Sequence, residues 1–154
     1  MARSTTRVRG WRSGLPVLLT LVFVLTACGG RGGDEAVELR EDAALSERIR
    51  QVQREGDSAL LRDLVEGDWD TVHVFPDPVS REFVERRVGA PVDMLEFFAI
   101  KGQVLVFLRA GEVWRAVYTT PNNLVEGEYS NRVRVQARTE PPNSPLMELV
   151  DPPA

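Results

Sequence analysis

The strongest pattern along the chain is a pair of runs rich in Val, Leu and aromatic residues, Gln103 to Arg109 and Glu112 to Thr119, which predict two strands of a hairpin. Ala110 tolerates a positive φ poorly, so the expected connection is a three-residue loop with Gly111 as its left-handed residue. Trp69 to Phe75, where Val72 and Val74 alternate with Thr71 and His73, reads as another strand. Asn131 to Arg138 reads as a last one, with Val133, Val135 and Ala137 on one side. A helical period appears earlier: Leu45, Ile49 and Val52 form a thin apolar stripe through a charged segment, Glu35 to Glu55. Gly56 ends it, and Asp57 or Ser58 can cap a second helix with Leu60, Leu61, Leu64 and Val65 on its face. Asp77 and Pro78 suit the cap and first turn of a third helix running to Val88 and burying Val79, Phe83, Val84 and Val88. Leu95, Phe97, Phe98 and Ile100 fit a short strand or, preferably, an irregular buried segment.

This order of elements predicts an α+β domain over 57–138: a small, mainly antiparallel four-stranded sheet with helices packed on one face, in two layers. Residues 35–56 form an amphipathic helical segment ahead of it. Residues 139–154, with Pro141, Pro142, Pro145, Pro152 and Pro153, are expected to be a disordered tail. The other face of such a sheet would be left to water or a partner.

Composition narrows the role. Of the residues, 43% are apolar and 27% charged, which suits an ordinary globular domain, and Lys+Arg 19 against Asp+Glu 23 argues against nonspecific nucleic-acid binding. A single Cys and a single His exclude a Cys/His zinc site. The N-terminus carries Arg3, Arg7, Arg9 and Arg12 before an apolar stretch from Leu15 to Thr26, which is the layout of an export signal. That stretch is short of the roughly 20 apolar residues a membrane span needs. Leu25-Thr26-Ala27-Cys28, followed by Gly29, resembles the lipobox of bacterial lipoproteins. The resemblance implies cleavage of residues 1–27 and diacylation of the Cys28 sulfur, hence an anchor in the cell membrane on its extracytoplasmic side. Loss of the leader removes four Arg and no acid, taking the net charge from −4 to −8. An acidic body does not cling to anionic headgroups, so lipid is the expected attachment. Residues 28–34, rich in Gly, then serve as a tether.

Candidate chemistry is sparse. His73 is the only imidazole and lies in a strand pattern, where a structural or solvent-facing role is expected over a catalytic one. Asp68 and Asp70, at i and i+2, could share one side of a strand end and, with Glu126 or Glu128, approach a cation or act across a sugar. Two carboxylates are too few for a metal site, so no metal, cofactor or catalytic activity is expected. Trp69, Trp114 and Tyr118 are assigned to packing in preference to exposed platforms. The sharpest feature is Arg132, Arg134 and Arg138, which at strand spacing form a basic comb able to pair with carboxylate- or phosphate-rich partners.

The stretch Gly67-Asp68-Trp69-Asp70-Thr71-Val72-His73-Val74-Phe75, with a capped helix and Val104-Leu105-Val106-Phe107 after it, resembles a group of small exported bacterial proteins whose function is uncharacterised. Where that group carries Pro-Tyr after the strand, this chain has Asp77-Pro78. The expectation is therefore a lipid-anchored binding or accessory module that meets an envelope protein or a cell-wall component. An envelope assembly factor docking through the 35–55 helix is the alternative, and a small hydrolase the more remote one.

Overall fold

The computed structural model of the chain describes residues 35–137 and 147–152. The segment read as one helix from residue 35 is divided in two: strand β1 (Val37–Glu41) and helix α1 (Ala43–Glu55). Val37 and Leu39 alternate with Glu38 and Arg40, a period of two that suits a strand. Asp42 then starts the helix, its Oδ1 accepting the Leu45 N–H at 2.8 Å, and Gly56 stops it in the left-handed conformation at φ 65°. The stripe of Leu45, Ile49 and Val52 is buried in the domain core. It is therefore a packing face of this domain.

The expected second helix shrinks to strand β2 (Ser58–Leu60) and one turn, α2 (Leu61–Leu64). Asp57 accepts the Ser58 N–H in place of capping a helix. Strand β3 (Thr71–Pro76) follows as expected. After it, β4 (Val79–Ser80) delays helix α3 (Arg81–Val88), which Ser80 caps through a 3.3 Å bond from the Phe83 N–H. Asp77 instead accepts the Lys101 N–H at 3.0 Å. Two-residue strands β5 (Val92–Asp93) and β6 (Phe97–Phe98) lead to the hairpin of β7 (Gln103–Arg109) and β8 (Glu112–Thr119). Strands β9 (Gly127–Ser130), β10 (Arg134–Ala137) and β11 (Met147–Val150) complete the order.

The hairpin corrects the expected loop. Arg109 pairs with Glu112, so only Ala110 and Gly111 connect the strands, at φ 51° and 82°. These are the left-handed values of a two-residue hairpin turn, whose twist matches that of the strands. The cost of placing Ala110 there is offset by its N–H, which donates to Asp70 Oδ2 at 2.6 Å.

The fold is α+β and dominated by strands, but the four-stranded antiparallel sheet becomes a six-stranded mixed one, ordered β5-β1-β8-β7-β3-β9. Strand β1 runs parallel to both of its neighbours, and the other pairs are antiparallel. Helical cover on one face only is also corrected. On one face Val72, Val74, Leu105, Phe107 and Val117 pack with α1 and with a three-stranded antiparallel sheet, β11-β10-β2. On the other, Phe75, Val104, Val106, Leu108 and Ala116 pack with α3 and the short β4-β6 ladder. The reason lies in β7: Val104 to Leu108 are all buried, and an unbroken apolar strand needs both faces covered.

The C-terminal segment is not wholly a tail. Strand β11 pairs with β10, and Met147 and Leu149 are buried in the core, since their alternation with Glu148 and Val150 aims two apolar side chains inward. Cys28, the tether and Arg138 lie outside the described residues. Among the described residues no helix is long and apolar enough to cross a membrane.

Candidate functional site

A cleft opens where β1 meets β8, and a β-bulge builds it. Phe107 pairs with Arg115 and Leu108 with Val113, so Trp114 is an extra residue with no partner position on β7. A bulge of this kind re-aims side chains, and here consecutive residues Trp114 and Arg115 both reach the cleft. Across it, Glu38 and Arg40 lie two apart on β1, with Arg40 in register with Val117. These residues, with Glu41, line a space of about 400 Å3.

Each cation in the cleft is held by an acid. Arg115 donates to Asp42 Oδ2 at 2.6 Å, and Asp42 is the residue that caps α1. Arg40 Nε donates to Glu38 Oε2 at 2.9 Å. Trp114 is fixed from behind. A Cβ on Gly67 would lie 2.1 Å from its Cη2 atom, and the Arg109 guanidinium stands 5.3 Å from its ring centroid. The Phe107 ring meets it edge-on at 6.5 Å. The arrangement offers an indole edge beside alternating donors and acceptors of little net charge, which is chemistry for a polar ligand rather than for a lone anion.

A second surface comes from the segment expected to be buried between Met94 and Ile100. Phe98 does enter the core and tilts against Tyr118 at 5.4 Å, but Leu95, Phe97 and Ile100 are 75%, 63% and 48% exposed. Met94 and Phe98 supply the inward anchors, and the remaining apolar side chains of the segment are left outside. Beside Phe97 lies a groove of about 380 Å3 with Pro76, Pro78, Val79 and Phe83 in its wall and Arg86 and Glu126 at its rim. The ridge is tied down: Arg81 N–H donates to the Glu96 carbonyl at 2.9 Å, and Lys101, at φ 55°, is held by Asp77.

The residues singled out in the sequence are spread over other places. His73 is buried in β3, parallel to the Phe75 ring at 6.1 Å, with Nδ1 4.0 Å from Glu128 Oε2 on β9. Burial pulls its pKa below the ordinary imidazole value; Glu128 opposes this and Arg87 adds to it. Asp68 and Asp70 brace the hairpin turn: Asp70 receives Ala110 N–H, and the Asp68 carbonyl accepts from Arg109 Nε. They are not joined by Glu126 or Glu128, and among the described residues no group of three or more His, Cys, Asp or Glu side chains could hold a metal ion. Trp69 is buried core, edge-on to Phe107 at 5.0 Å. Tyr118 is half-buried, its hydroxyl 3.4 Å from Glu41.

The basic comb is only partly assembled. Arg132 and Arg134 are exposed, but β10 begins at Arg134, and Arg132 sits in the turn before it, outside the strand alternation. Arg134 donates to Ser58 Oγ at 2.7 Å and so braces β2. Neither the cleft nor the ridge was foreseen. The bulge has no local signal, and apolar letters do not reveal which of them a connection leaves outside.

Scans of the chain against protein-family models, curated proteins and solved structures find no match.

Proposed function

We propose that this chain is a lipid-anchored, extracytoplasmic binding module of the bacterial cell envelope, held to the cell membrane by acyl chains at Cys28. Its ligand is a cell-wall component or a polar segment of an envelope protein. The lipobox-like Leu25-Thr26-Ala27-Cys28 supports the address. Each acyl CH2 buried contributes about 0.8 kcal/mol, so two or three chains suffice for stable attachment. The observation that carries the binding role is the bulge that sets Trp114 and Arg115 side by side in a polar cleft. Planar guanidinium groups beside acids, next to an indole edge, match a ligand rich in hydroxyl and amide groups, such as wall glycan. No catalytic step and no cofactor belong to this reading. Arg132 is a further contact for an acidic partner, with Arg134 and Arg138 beside it in sequence.

The experiment is crosslinking on intact membranes, followed by titration of the purified protein with soluble glycan fragments and with the proteins captured. Trp114→Ala should weaken the complex at least about tenfold, the effect of losing one interfacial aromatic anchor. Equal binding by Trp114→Ala and Arg115→Ala would remove the cleft from the function. Fatty-acid labelling that persists in Cys28→Ser would remove the anchor.

A further inference from the structure

We propose that the ridge of Leu95, Phe97 and Ile100 rests in the headgroup–acyl boundary of the membrane to which Cys28 fastens the chain, a contact that builds on the anchor reading above. Three large apolar side chains within six residues, all at least half in water or close to it, form a cluster of the kind that marks contact with a partner or a membrane. The membrane is the occupant that the covalent chain favours. From Cys28 to Glu35 there are seven residues, which span at most roughly 25 Å, comparable to the width of a domain of this size. An anchored domain therefore cannot leave the lipid surface, and one of its faces must lie close to it.

Charge selects the ridge among those faces. The mature chain is acidic, yet the segment from Met94 to Lys101 carries one acid, Glu96, and one base, Lys101, so anionic headgroups do not repel it. Lys101 is also the chain's only lysine and is exposed at the end of the ridge. The hydrogen bonds to Glu96 and from Lys101 hold the backbone in place, so little ordering is needed at the surface. Phe98 and Val79, under the ridge, pack on one face of the central sheet, whereas Trp114 and Val117 belong to the other. With the ridge lowered, the Trp114 side of the cleft faces away from the lipid.

The test is photo-crosslinking in cells making the full chain, with p-benzoylphenylalanine placed at Leu95, Phe97 or Ile100, and at Val150 as an exposed apolar control elsewhere. Adducts at the three ridge positions should be with phospholipid and exceed those at Val150 by about tenfold, the partition effect of burying one such side chain. Phe97→Ser should lower lipid adducts at Ile100. Adducts mainly with protein would overturn the proposal and assign the ridge to a protein partner, and equal lipid labelling at Val150 would overturn it as well. Fatty-acid labelling of the same samples separates the two readings. An acylated chain without ridge adducts refutes the ridge alone, an unacylated chain with them refutes the anchor alone, and an unacylated chain without them refutes both.

Discussion

Asp42 joins the fold to the cleft, and its replacement separates the two roles. Its Oδ1 caps α1 by accepting the Leu45 N–H at 2.8 Å, and its Oδ2 holds the Arg115 guanidinium at 2.6 Å. Loss of an aspartate cap costs about 1 kcal/mol. Asp42 is 13% exposed and Arg115 37%, so solvent screens part of the pair and its contribution is about 1 kcal/mol, below that of a fully buried charged hydrogen bond. Asp42→Ala should therefore cost about 2 kcal/mol and lower a urea midpoint by about 1 M, given a slope near 2 kcal/mol/M. Asp42→Asn keeps a good cap and should lose only about half as much. Urea unfolding of Asp42→Ala, Arg115→Gln and the double variant should yield a coupling of about 1 kcal/mol. Additive losses, or equal losses for Asn and Ala, would refute the division of labour. Ligand binding offers an independent reading, because Asp42→Asn frees Arg115 and should weaken the complex although Asp42 does not line the cleft.

Gly67→Ala should cost about 2–3 kcal/mol and disturb Trp114, because the new Cβ would meet the indole at 2.1 Å and φ is 133°; Gly111→Ala, at φ 82° with open space around it, should lose only about 1 kcal/mol in thermal unfolding. Burial holds the His73 pKa below its ordinary value, so the unfolded chain takes up a proton near pH 6.5 while the folded one resists until lower pH. The stability contributed above that value is lost as pH falls toward the folded pKa, and His73→Gln should flatten this part of the unfolding–pH profile; an unchanged profile would show that another group sets it. Met147→Ala should destabilise by about 2–5 kcal/mol, since the side chain is fully buried; a negligible change in calorimetry would restore the view of this segment as a dispensable tail. Charge reversal at Arg132 should reduce capture of acidic partners with little change in stability, whereas at Arg134 it should also loosen β2 through the Ser58 contact, which hydrogen exchange can read.

The readable parts of this fold were those whose residues act locally. Strands β7 and β8 were legible to the residue, as was the end of α1 at Gly56, because β-branched runs and glycine operate through their own backbone. The parts misread depend on partners distant in sequence. Val37 to Glu41 carries helix-compatible residues, but β8 and β5 recruit it as a parallel strand, and a five-residue alternation is a weak local signal beside those pairings. Ser58 to Leu60 looked like a helix start until β10 paired with it, and Met147 to Val150 looked like tail for the same reason. Helical cover on both faces was implicit in the unbroken run from Val104 to Leu108, which alternation alone does not explain.

The candidate site failed to appear in the sequence for a sharper reason. Side chains on a strand alternate between faces, so one residue inserted or removed near a turn transfers every later side chain to the opposite face. This hairpin contains two such decisions: a two-residue turn at Ala110-Gly111, and an extra residue at Trp114. Together they return β8 to register with Phe107 opposite Arg115, putting Arg115 on the face of α1, where Asp42 awaits it. The turn in its turn depends on Asp70, forty residues away in sequence, whose carboxylate holds Ala110 at a positive φ. Its carboxylate, of a type that suits a metal ligand, serves as the brace of that turn. Weakening it by Asp70→Ala should favour a three-residue loop that absorbs the bulge, setting Trp114 opposite Leu108 and out of its place in the cleft while Arg115 stays opposite Phe107, which a new cross-strand NOE between Leu108 and Trp114 would report directly.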